Sequence, residues 1–428
     1  MKRRRTSHIV LAAGGTGGHV FPASALKDEL ISRGHQVSLV TDVRGYGYKD
    51  HFNGAKIYKI NSTSFAGRGL FGKILALPKI ILSVLQARSL LKTMPRRPGV
   101  VVGFGGYPSF PAIRAAASLG IPTCLHEQNA VLGRVNRLMA KSVDAVALSF
   151  EKTRKAEFEK YEHVVVTGNP VRKDVVELGD KFYPDIGEDR IFRILVIGGS
   201  QGASIFGEVV PQAISTLPRA LQRRLQITQQ CRAEDIDRVR AIYAETKIAV
   251  ELSTFIPNIP ECLEWAHLVI GRAGASTIAE LTAAGRAGIL VPYPHATDNH
   301  QIENAREMVI NGGAWLFNQK EFNAAELAKL LQRLAKRPRD VWRASEDARK
   351  VGKPYATKDL ADLVERLALV KGSWKSIKTH DEDPAVLTVK VVPVPDPLSD
   401  AVADEPFAAQ EDKEVVKPPI PNPLKVLR

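Results

Sequence analysis

The sequence is poor in cysteine, with three among 428 residues, and it lacks a long apolar run free of glycine and proline. Three widely spaced cysteines form neither a disulfide framework nor a zinc-binding pattern. The charge-free stretch from Pro98 to Ile113 is interrupted by glycine and proline, so we predict no membrane-spanning helix there. The basic N-terminus leads into Ile9–Ala13, which meets glycine too soon for the core of a signal peptide. We therefore expect a cytoplasmic protein.

Aromatic residues are also scarce, at 7%, and no nucleic-acid-reading motif is present, so we expect no nucleic acid partner. The formal net charge is nevertheless +14. Residues 374–428 carry a net charge of −3 and nine of the 26 prolines, which leaves +17 on residues 1–373. Such an excess favours an anionic partner, either a phosphorylated substrate or an acidic membrane surface. The acidic, proline-rich composition predicts a disordered tail over 374–428.

Short apolar runs that end in glycine alternate with segments of helical length, and this opening pattern occurs twice along the chain. The alternation predicts two α/β domains, each with a doubly wound parallel sheet. The predicted strands are Ile9–Ala13, Gln36–Thr41, Val100–Val102, Thr123–Leu125, Ala145–Leu148 and Val164–Thr167, followed by Arg193–Ile197, Leu225–Thr228, Val250–Leu252, Leu268–Gly271 and Gly288–Pro292.

Glycine-rich turns follow four of these strands. They span residues 14–18, 103–106, 198–202 and 271–274. Backbone N–H groups in such turns and at helix starts bind anions. Because ligands of open α/β sheets bind beyond the carboxyl ends of the strands, the four turns predict a long cleft. Gly15 and Gly17 match part of the dinucleotide fingerprint, and Asp42 ends the next strand, so a nucleotide-dependent oxidoreductase is one alternative. Val20 stands where that fingerprint needs its third glycine.

A second alternative is a serine hydrolase, because residues 198–202 also satisfy the Gly-x-Ser-x-Gly pattern around Ser200. Asp298 and His300 follow in the order that such a hydrolase requires. The acid and the base of such a hydrolase usually come from separate loops, however, whereas these two residues are only two positions apart. A hydrolase would also leave the glycine turns of the first domain unexplained.

The segment 271–280 has two interpretations that its spacing does not separate. In the first, Ser276 or Thr277 caps a helix and Glu280 satisfies backbone N–H groups. In the second, the start of the helix faces a phosphate group and Glu280 accepts hydrogen bonds from two sugar hydroxyls.

Seven segments, taken together and in this order, resemble the MurG family of N-acetylglucosaminyltransferases. They are GGTGGHVFP (14–22), GFGGY (103–107), HEQN (126–129), GNPVR (168–172), GGSQGA (198–203), GRAGASTIAE (271–280) and NHQIEN (299–304). The resemblance covers about residues 7–370 and implies a GT-B fold, in which two Rossmann-like domains face each other across a cleft. The implied parts are an N-terminal acceptor and membrane domain (1–167), a hinge and linker (168–190), a C-terminal UDP-GlcNAc domain (191–345), a helix crossing back to the first domain (346–373) and the disordered tail (374–428).

The resemblance also implies the reaction. An inverting transferase of this family moves GlcNAc from UDP-GlcNAc to the C4 hydroxyl of the MurNAc unit of lipid I, the undecaprenyl pyrophosphate-linked acceptor, and so makes lipid II for peptidoglycan. It implies a peripheral protein on the cytoplasmic side of the bacterial inner membrane, at an anionic surface. We expect no cofactor and no metal site, since no Asp-x-Asp motif lies near the nucleotide turns. The tail is expected to contact cell-wall or division proteins.

Matching residue by residue, the resemblance assigns two groups of binding residues. UDP-GlcNAc would be bound by Thr16, Gly17, Gly18, Asn129, Arg172, Ser200, Ile256, Ala275, Ser276, Thr277, Glu280 and Gln301. The acceptor and the membrane would be contacted by Gly14, Gly15, Gly105, Gly106, Tyr107, Leu70, Phe71, Lys73, Ile74 and Lys79. The chain departs from the family at Pro257-Asn258, where acidic residues often stand, so contacts to uracil on that loop are less well defined.

His19 and Glu127 are the two candidates for the general base. A neutral imidazole is available near pH 7. The helix start beside His19 would lower its pKa, a bound pyrophosphate would raise it, and the sequence does not decide between the two effects. A carboxylate such as Glu127 can serve instead if a closed cleft raises its pKa.

Large apolar residues are interleaved with basic ones over residues 65–92. One interpretation is a helix that simply covers the sheet. The other is an apolar patch, ringed by basic side chains, that lies on anionic lipid headgroups. Pro78 is expected to begin the helix.

Overall fold

The computed structural model describes residues 6–61, 70–156, 163–199, 202–246 and 248–369. Several predicted features lie outside them, namely Ser200, residues 62–69, the tail 374–428 and the side chains of Leu70, Phe71, Lys73 and Ile74.

Thirteen strands in the described residues form two parallel sheets. The first sheet contains β1 (His8–Ala12), β2 (Gln36–Thr41), β3 (Lys56–Lys59), β4 (Val100–Gly103), β5 (Thr123–Glu127), β6 (Ala145–Leu148) and β7 (Val164–Val166). The second contains β8 (Phe192–Ile197), β9 (Leu225–Gln230), β10 (Ala249–Ser253), β11 (Leu268–Gly271), β12 (Ala287–Leu290) and β13 (Ala314–Leu316). The strand orders are β3-β2-β1-β4-β5-β6-β7 and β10-β9-β8-β11-β12-β13, so each sheet begins near its middle and is wound in both directions.

Helices connect and cover the strands. They are α1 (Gly17–Ser32), α2 (Val43–Tyr46), α3 (Leu70–Thr93), α4 (Ser109–Ser118), α5 (Arg134–Met139), α6 (Lys173–Val176), α7 (Ser204–Ser215), α8 (Arg219–Gln222), α9 (Ile236–Ala244), α10 (Ile259–Trp265), α11 (Ala275–Ala284), α12 (His300–Ile310), α13 (Ala324–Lys336), α14 (Pro338–Val351) and α15 (Ala356–Leu369). Short 3-10 turns occupy Lys49–Phe52, Ala140–Ser142, Glu177–Asp180 and Thr297–Asn299.

One local expectation about a helix start needs correction. Pro78 lies inside α3 rather than at its start. A proline inside a helix costs about 3 kcal/mol, but the face that follows it, with Ile80, Ala87 and Leu91, is buried and stabilises the helix through packing.

The last described helix, α15, packs on the first sheet and not on the second. Leu360, Val364 and Leu367 are buried in one cluster with residues of β1, β4 and α1. At the rim of that contact, Arg33, the C-cap residue of α1, binds Asp362 and Glu365 of α15. The chain therefore returns to its first half after it has completed the second sheet.

Candidate active site

The glycine turn after β1 and the one after β4 lie against each other at the carboxyl edge of the first sheet. Gly105 and Gly106 have φ values of +82° and +73°, which side chains rarely adopt. A Cβ on Gly106 would lie 2.9 Å from the carbonyl oxygen of Gly14. Glycine is therefore required here both for the backbone conformation and for the close approach of the two turns.

His19 is the third residue of α1, and its imidazole lies beside these turns. A Cβ on Gly105 would be 3.3 Å from His19 Nε2, and one on Gly106 would be 3.5 Å from Nδ1. Burial lowers the pKa of His19 from its ordinary value of 6.5, and His300 across the cleft lowers it further. The Gly14 carbonyl and Asp42 oppose this shift. The net effect favours a neutral imidazole at physiological pH.

Glu127 ends β5, and its buried carboxylate accepts four hydrogen bonds. Oε1 accepts from the backbone and side-chain nitrogens of Asn129, at 3.0 and 3.2 Å. Oε2 accepts from the Gly133 backbone and from Asn136 Nδ2, both at 2.8 Å. Burial raises the pKa of Glu127, and these four donors oppose the rise. The carboxylate therefore holds the loop of residues 128–136 in place.

The start of α11 faces the cleft from the second domain, and α1 contacts this helix. Gly274 is the N-cap residue, and no side chain caps the helix, so the expectation that Ser276 or Thr277 does so is wrong. Both residues lie inside the helix because Gly274 is the last residue with an extended backbone. Among the described residues, the buried Ser276 hydroxyl has no hydrogen-bond partner.

Glu280 does not satisfy the N–H groups of α11 but binds Arg172, the residue that precedes α6. Its Oε1 lies 2.9 Å from Nη2 of Arg172. Burial raises the pKa of Glu280, and the Arg172 guanidinium opposes the rise. The structure thus brings together two residues that the sequence assigned separately to the nucleotide.

Asn304 of α12 joins the two domains at the centre of the cleft, a role that sequence reasoning missed. Its Oδ1 accepts from Ala130 N at 2.8 Å, and its Nδ2 donates to Asn129 Oδ1 and to the Ala273 carbonyl, each at 3.2 Å. Gln301 lies one turn earlier on α12, and its Oε1 accepts from Tyr293 N at 2.9 Å. The HEQN, GRAG and NHQIEN segments therefore meet in space. In the sequence, the only indication of this contact is that the segments occur in the order of the family they resemble.

The remaining assigned residues lie in four places. Gly14, Gly15, Thr16, Gly17 and Gly18 line the turn at the start of α1, Tyr107 follows the β4 turn, and Ile256 is buried after β10. Lys79 is distant from these turns in the chain and lies exposed on α3.

The geometry does not favour the hydrolase alternative. His300 Nδ1 contacts the Thr297 carbonyl at 2.7 Å, whereas the Asp298 carboxylate binds Arg137 and Lys155. An acid that orients a catalytic histidine must hydrogen-bond to it, and no such bond joins these two residues.

Known proteins resemble this chain over both domains. The N-terminal domain of glycosyltransferase family 28 matches residues 9–148, and the C-terminal domain of that family matches residues 193–367. A protein of Zymomonas mobilis is 50% identical over 374 residues, which are 87% of this chain and 95% of the relative. It is named UDP-N-acetylglucosamine--N-acetylmuramyl-(pentapeptide) pyrophosphoryl-undecaprenol N-acetylglucosamine transferase. A Brucella abortus protein with the same name is 41% identical over 87% of this chain and 97% of its own length.

The chain belongs to the MurG family of glycosyltransferases.

Solved structures agree with this membership. The crystal structure of Acinetobacter baumannii MurG matches with a TM-score of 0.67 and 30% identity, over 84% of this chain and 99% of that one. The glycotransferase of kitacinnamycin matches at 0.63 with 19% identity, over 85% of this chain and all of that one, which is a likeness of fold alone. The predicted α/β class and GT-B fold are confirmed, and neither the oxidoreductase nor the hydrolase alternative is supported.

None of the helices in the described residues combines the length and the apolar character that crossing a membrane requires.

Proposed function

We propose that this MurG-family enzyme transfers GlcNAc from UDP-GlcNAc to the C4 hydroxyl of the MurNAc unit of lipid I, giving lipid II for peptidoglycan. The observation that carries the proposal is a cleft in which His19 of one domain faces the starts of α11 and α12 of the other. The Zymomonas and Brucella relatives supply the substrate pair, because both substrates stand in their names.

His19 is proposed as the general base. We assign the proton of the neutral imidazole to Nδ1, which is buried and has no hydrogen-bond partner among the described residues, so that the Nε2 lone pair is free for the acceptor. In a single displacement, the acceptor C4 oxygen attacks C1 of GlcNAc as its proton passes to Nε2. The bond from C1 to the phosphate oxygen breaks, UDP leaves with the electron pair, and the configuration at C1 is inverted.

The start of α11 is proposed to stabilise the departing UDP. Its first-turn N–H groups, at Ala275, Ser276 and Thr277, have no side-chain cap, and the positive end of the helix favours a phosphate there. The unpartnered hydroxyl of Ser276 adds a donor. Because these groups are fixed before the reaction, they favour the charge that develops on the leaving group.

The nucleoside part is assigned to the second domain and the hinge. Glu280 would accept hydrogen bonds from the ribose hydroxyls while Arg172, its ion-pair partner, contacts the phosphates. The Ile256 backbone would face uracil. Asn129 and Gln301 would bind the hydroxyl and N-acetyl groups of the sugar from opposite sides of the cleft.

Transfer is tested by incubating the full chain with lipid I and labelled UDP-GlcNAc and identifying the lipid product by mass spectrometry. We expect lipid II, and we expect UDP-glucose to be a poor donor. A His19→Ala variant that still binds UDP serves as the inactive control. Donor hydrolysis without a lipid product would refute the proposal.

The helix α3 is proposed to hold the enzyme on the cytoplasmic face of the inner membrane. Ile81, Leu82 and Leu85 are 52%, 64% and 54% exposed, on the face opposite the buried side of the helix, with Lys79 exposed beside them. Apolar side chains would enter the headgroup region, and each basic residue would add about 1 kcal/mol on an anionic surface. The tail is proposed as a contact for cell-wall or division proteins.

Membrane binding is tested by co-sedimentation with vesicles of anionic or of zwitterionic phospholipid. Replacing Ile81, Leu82 and Leu85 together by Ser should abolish binding to the anionic vesicles. Ile310→Ser, at an exposed apolar position on α12, is the matched control and should bind normally. Equal binding by the triple variant would remove α3 from the membrane contact.

A further inference from the structure

Three non-glycine residues in the described part of the chain have a left-handed backbone, and all of them lie at one contact between the domains. The φ angles are +59° at Lys155, +56° at Asp298 and +53° at Asn299. Asp and Asn tolerate this conformation better than most residues, whereas lysine does not. Such conformations persist where surrounding contacts hold them, and they concentrate at functional sites.

Ion pairs cross the cleft at this contact. Asp298 Oδ2 lies 3.0 Å from Arg137 Nη2, and its Oδ1 lies 2.7 Å from Lys155 Nζ. Further along α12, Glu303 Oε1 lies 2.8 Å from Arg154 Nη1. We call these five residues the interdomain clasp. It joins the start of α12 to two segments of the first domain.

On the first domain, the clasp is bonded to the loop that carries Asn129. The Arg154 N–H donates to the Ala130 carbonyl at 2.8 Å, and the Arg154 carbonyl accepts from Leu132 N at 2.9 Å. A shift of the clasp would therefore move the chain that directly follows Asn129.

On the second domain, the clasp belongs to the same segment of the chain as Gln301. Asp298 stands three residues before Gln301, in the 3-10 turn that leads into α12. One helical turn further, Asn304 bonds to Asn129, so Gln301 lies on the face of α12 that approaches the first domain.

We propose that Asp298 is a positioning residue whose ion pairs with Arg137 and Lys155 close the cleft, so that Asn129 and Gln301 bind the donor sugar together. The proposal rests on the proposed function, which assigns those two residues to GlcNAc. The proposed function assigns UDP to residues that all follow β7 in the chain, namely Arg172, Ile256, Glu280 and the start of α11. Closure therefore strengthens binding of the sugar and leaves the affinity for UDP unchanged.

The test compares the sugar nucleotide with the free nucleotide in Asp298→Asn. Asparagine keeps the size and the tolerance for a left-handed backbone but removes the charge. If the closed fraction falls to about a tenth, the apparent affinity falls about tenfold. We expect KM for UDP-GlcNAc to rise by about that factor, with a smaller change in kcat and with the calorimetric Kd for UDP unchanged.

Arg137→Gln tests the same contact from the other domain without altering the left-handed turn. The double variant should be no worse than Asp298→Asn, because that variant already lacks the ion pair with Arg137. Asp237→Asn is the matched control, since Asp237 pairs with Arg240 on the outer helix α9, and its KM should equal that of the wild type. Small-angle X-ray scattering of the ligand-free proteins should show a larger radius of gyration for the two clasp variants only.

Two results would overturn the proposal. Wild-type KM and wild-type radius of gyration in both clasp variants would show that the ion pairs do not hold the cleft closed. A parallel loss of UDP affinity would show that Asp298 maintains the fold of the nucleotide site instead. Failure of the wild-type enzyme to transfer GlcNAc would refute the proposed function, whereas the scattering comparison would still decide whether the clasp closes the domains.

Discussion

At the scale of single residues, the hydrogen bonds that Glu127 accepts distinguish between the two candidates for the general base. Both of its carboxylate oxygens accept hydrogen bonds from loop donors. A general base needs a lone pair directed at the substrate proton. Glu127 uses its lone pairs on Asn129, Gly133 and Asn136, whereas His19 has a ring nitrogen at the edge of the glycine turns. The geometry therefore favours His19.

His19→Ala should lower kcat by about 10²–10⁴-fold while UDP binding persists, because general-base catalysis acts in the transition state. Protonated imidazole cannot accept the proton, and burial lowers the pKa of His19 below 6.5. The acid limb of kcat/KM should therefore lie below pH 6.5. Steady-state kinetics over pH 5–8 with a fluorescent lipid I analogue measure both effects.

Glu127→Gln should lower the activity but keep the acid limb of the pH profile of kcat/KM. The amide NH₂ of glutamine would meet an N–H donor of the loop where the carboxylate now accepts, so the loop would shift. Disappearance of the acid limb in Glu127→Gln, together with near-normal turnover by His19→Ala, would reverse the assignment.

Glu280→Ala should weaken UDP-GlcNAc binding by about 1.5–3 kcal/mol, since hydrogen bonds to a charged acceptor are lost and Arg172 loses its partner. Isothermal titration calorimetry measures the change. Glu321→Ala, at an exposed position of the same domain, is the control. An unchanged donor affinity would remove Glu280 from the nucleotide site.

The sequence indicates which residues are candidates for this site, but it does not indicate which of them contact one another. The Arg172–Glu280 pair and the contacts of Asn304 with Asn129 and Ala130 join positions more than 100 residues apart, and no local pattern encodes such contacts. His126 shows the same limit. Its Nε2 contacts the Gly168 carbonyl at 3.1 Å, and burial lowers its pKa to about 4, so it is a neutral structural residue within the HEQN segment.

At the scale of elements, the buried strands were predictable because their apolar runs are bounded by glycine or polar residues. β2, β6 and β11 have the expected limits. β3 was missed because, as an edge strand, it has only two apolar residues, Ile57 and Tyr58, which are half-buried and flanked by exposed lysines. β13 was missed because three residues carry too little periodicity to be recognised.

The ends of α10 and α11 share one buried cation that the sequence does not mark. Arg286 Nε donates to the Leu263 carbonyl at 2.6 Å, and its Nη1 donates to the carbonyls of Ala284 and Gly285 at 2.8 and 3.0 Å. The last carbonyl groups of a helix have no partner within the helix, so Arg286 caps the C-terminal ends of both helices by donating to these carbonyls.

Arg286→Met should lower the free energy of unfolding of the second domain by about 2–3 kcal/mol, because buried carbonyls lose a charged donor. Urea unfolding followed by fluorescence measures it. Arg339→Met, at an exposed arginine of α14, is the control and should change the free energy by less than about 0.5 kcal/mol. Equal midpoints for the two variants would contradict the capping role.

At the scale of the whole molecule, two contacts hold the domains in one arrangement. The cleft is bridged by the interdomain clasp and Asn304, and the far side is bridged by α15 on the first sheet. On that side, Arg33 contacts Glu29, Asp362 and Glu365, while His35 Nε2 lies 2.7 Å from Glu365. The domain boundaries at residues 167, 190, 345 and 373 stay predictions.

Removing residues 374–428 should leave folding and transfer intact, because that segment is acidic, proline-rich and poor in large apolar residues. Removing residues 356–428 should instead expose the surface that Leu360, Val364 and Leu367 cover. Thermal unfolding and soluble yield of the two truncated chains test the difference. An aggregating 1–373 chain, or a stable and soluble 1–355 chain, would contradict it.

The position of α15 also sets the order in which the nascent protein can finish folding. The ribosome delivers β1–β7 first, but the helix that closes their core emerges about 200 residues later, which takes about 10–40 s at bacterial synthesis rates of about 5–20 residues per second. The strands of the second domain follow one another in the chain, and all of them are synthesised before α15. The second domain is therefore complete before the first domain receives its last helix. During that interval the apolar face that α15 later covers is exposed, so we expect chaperones to bind it and a chain truncated before residue 356 to be degraded.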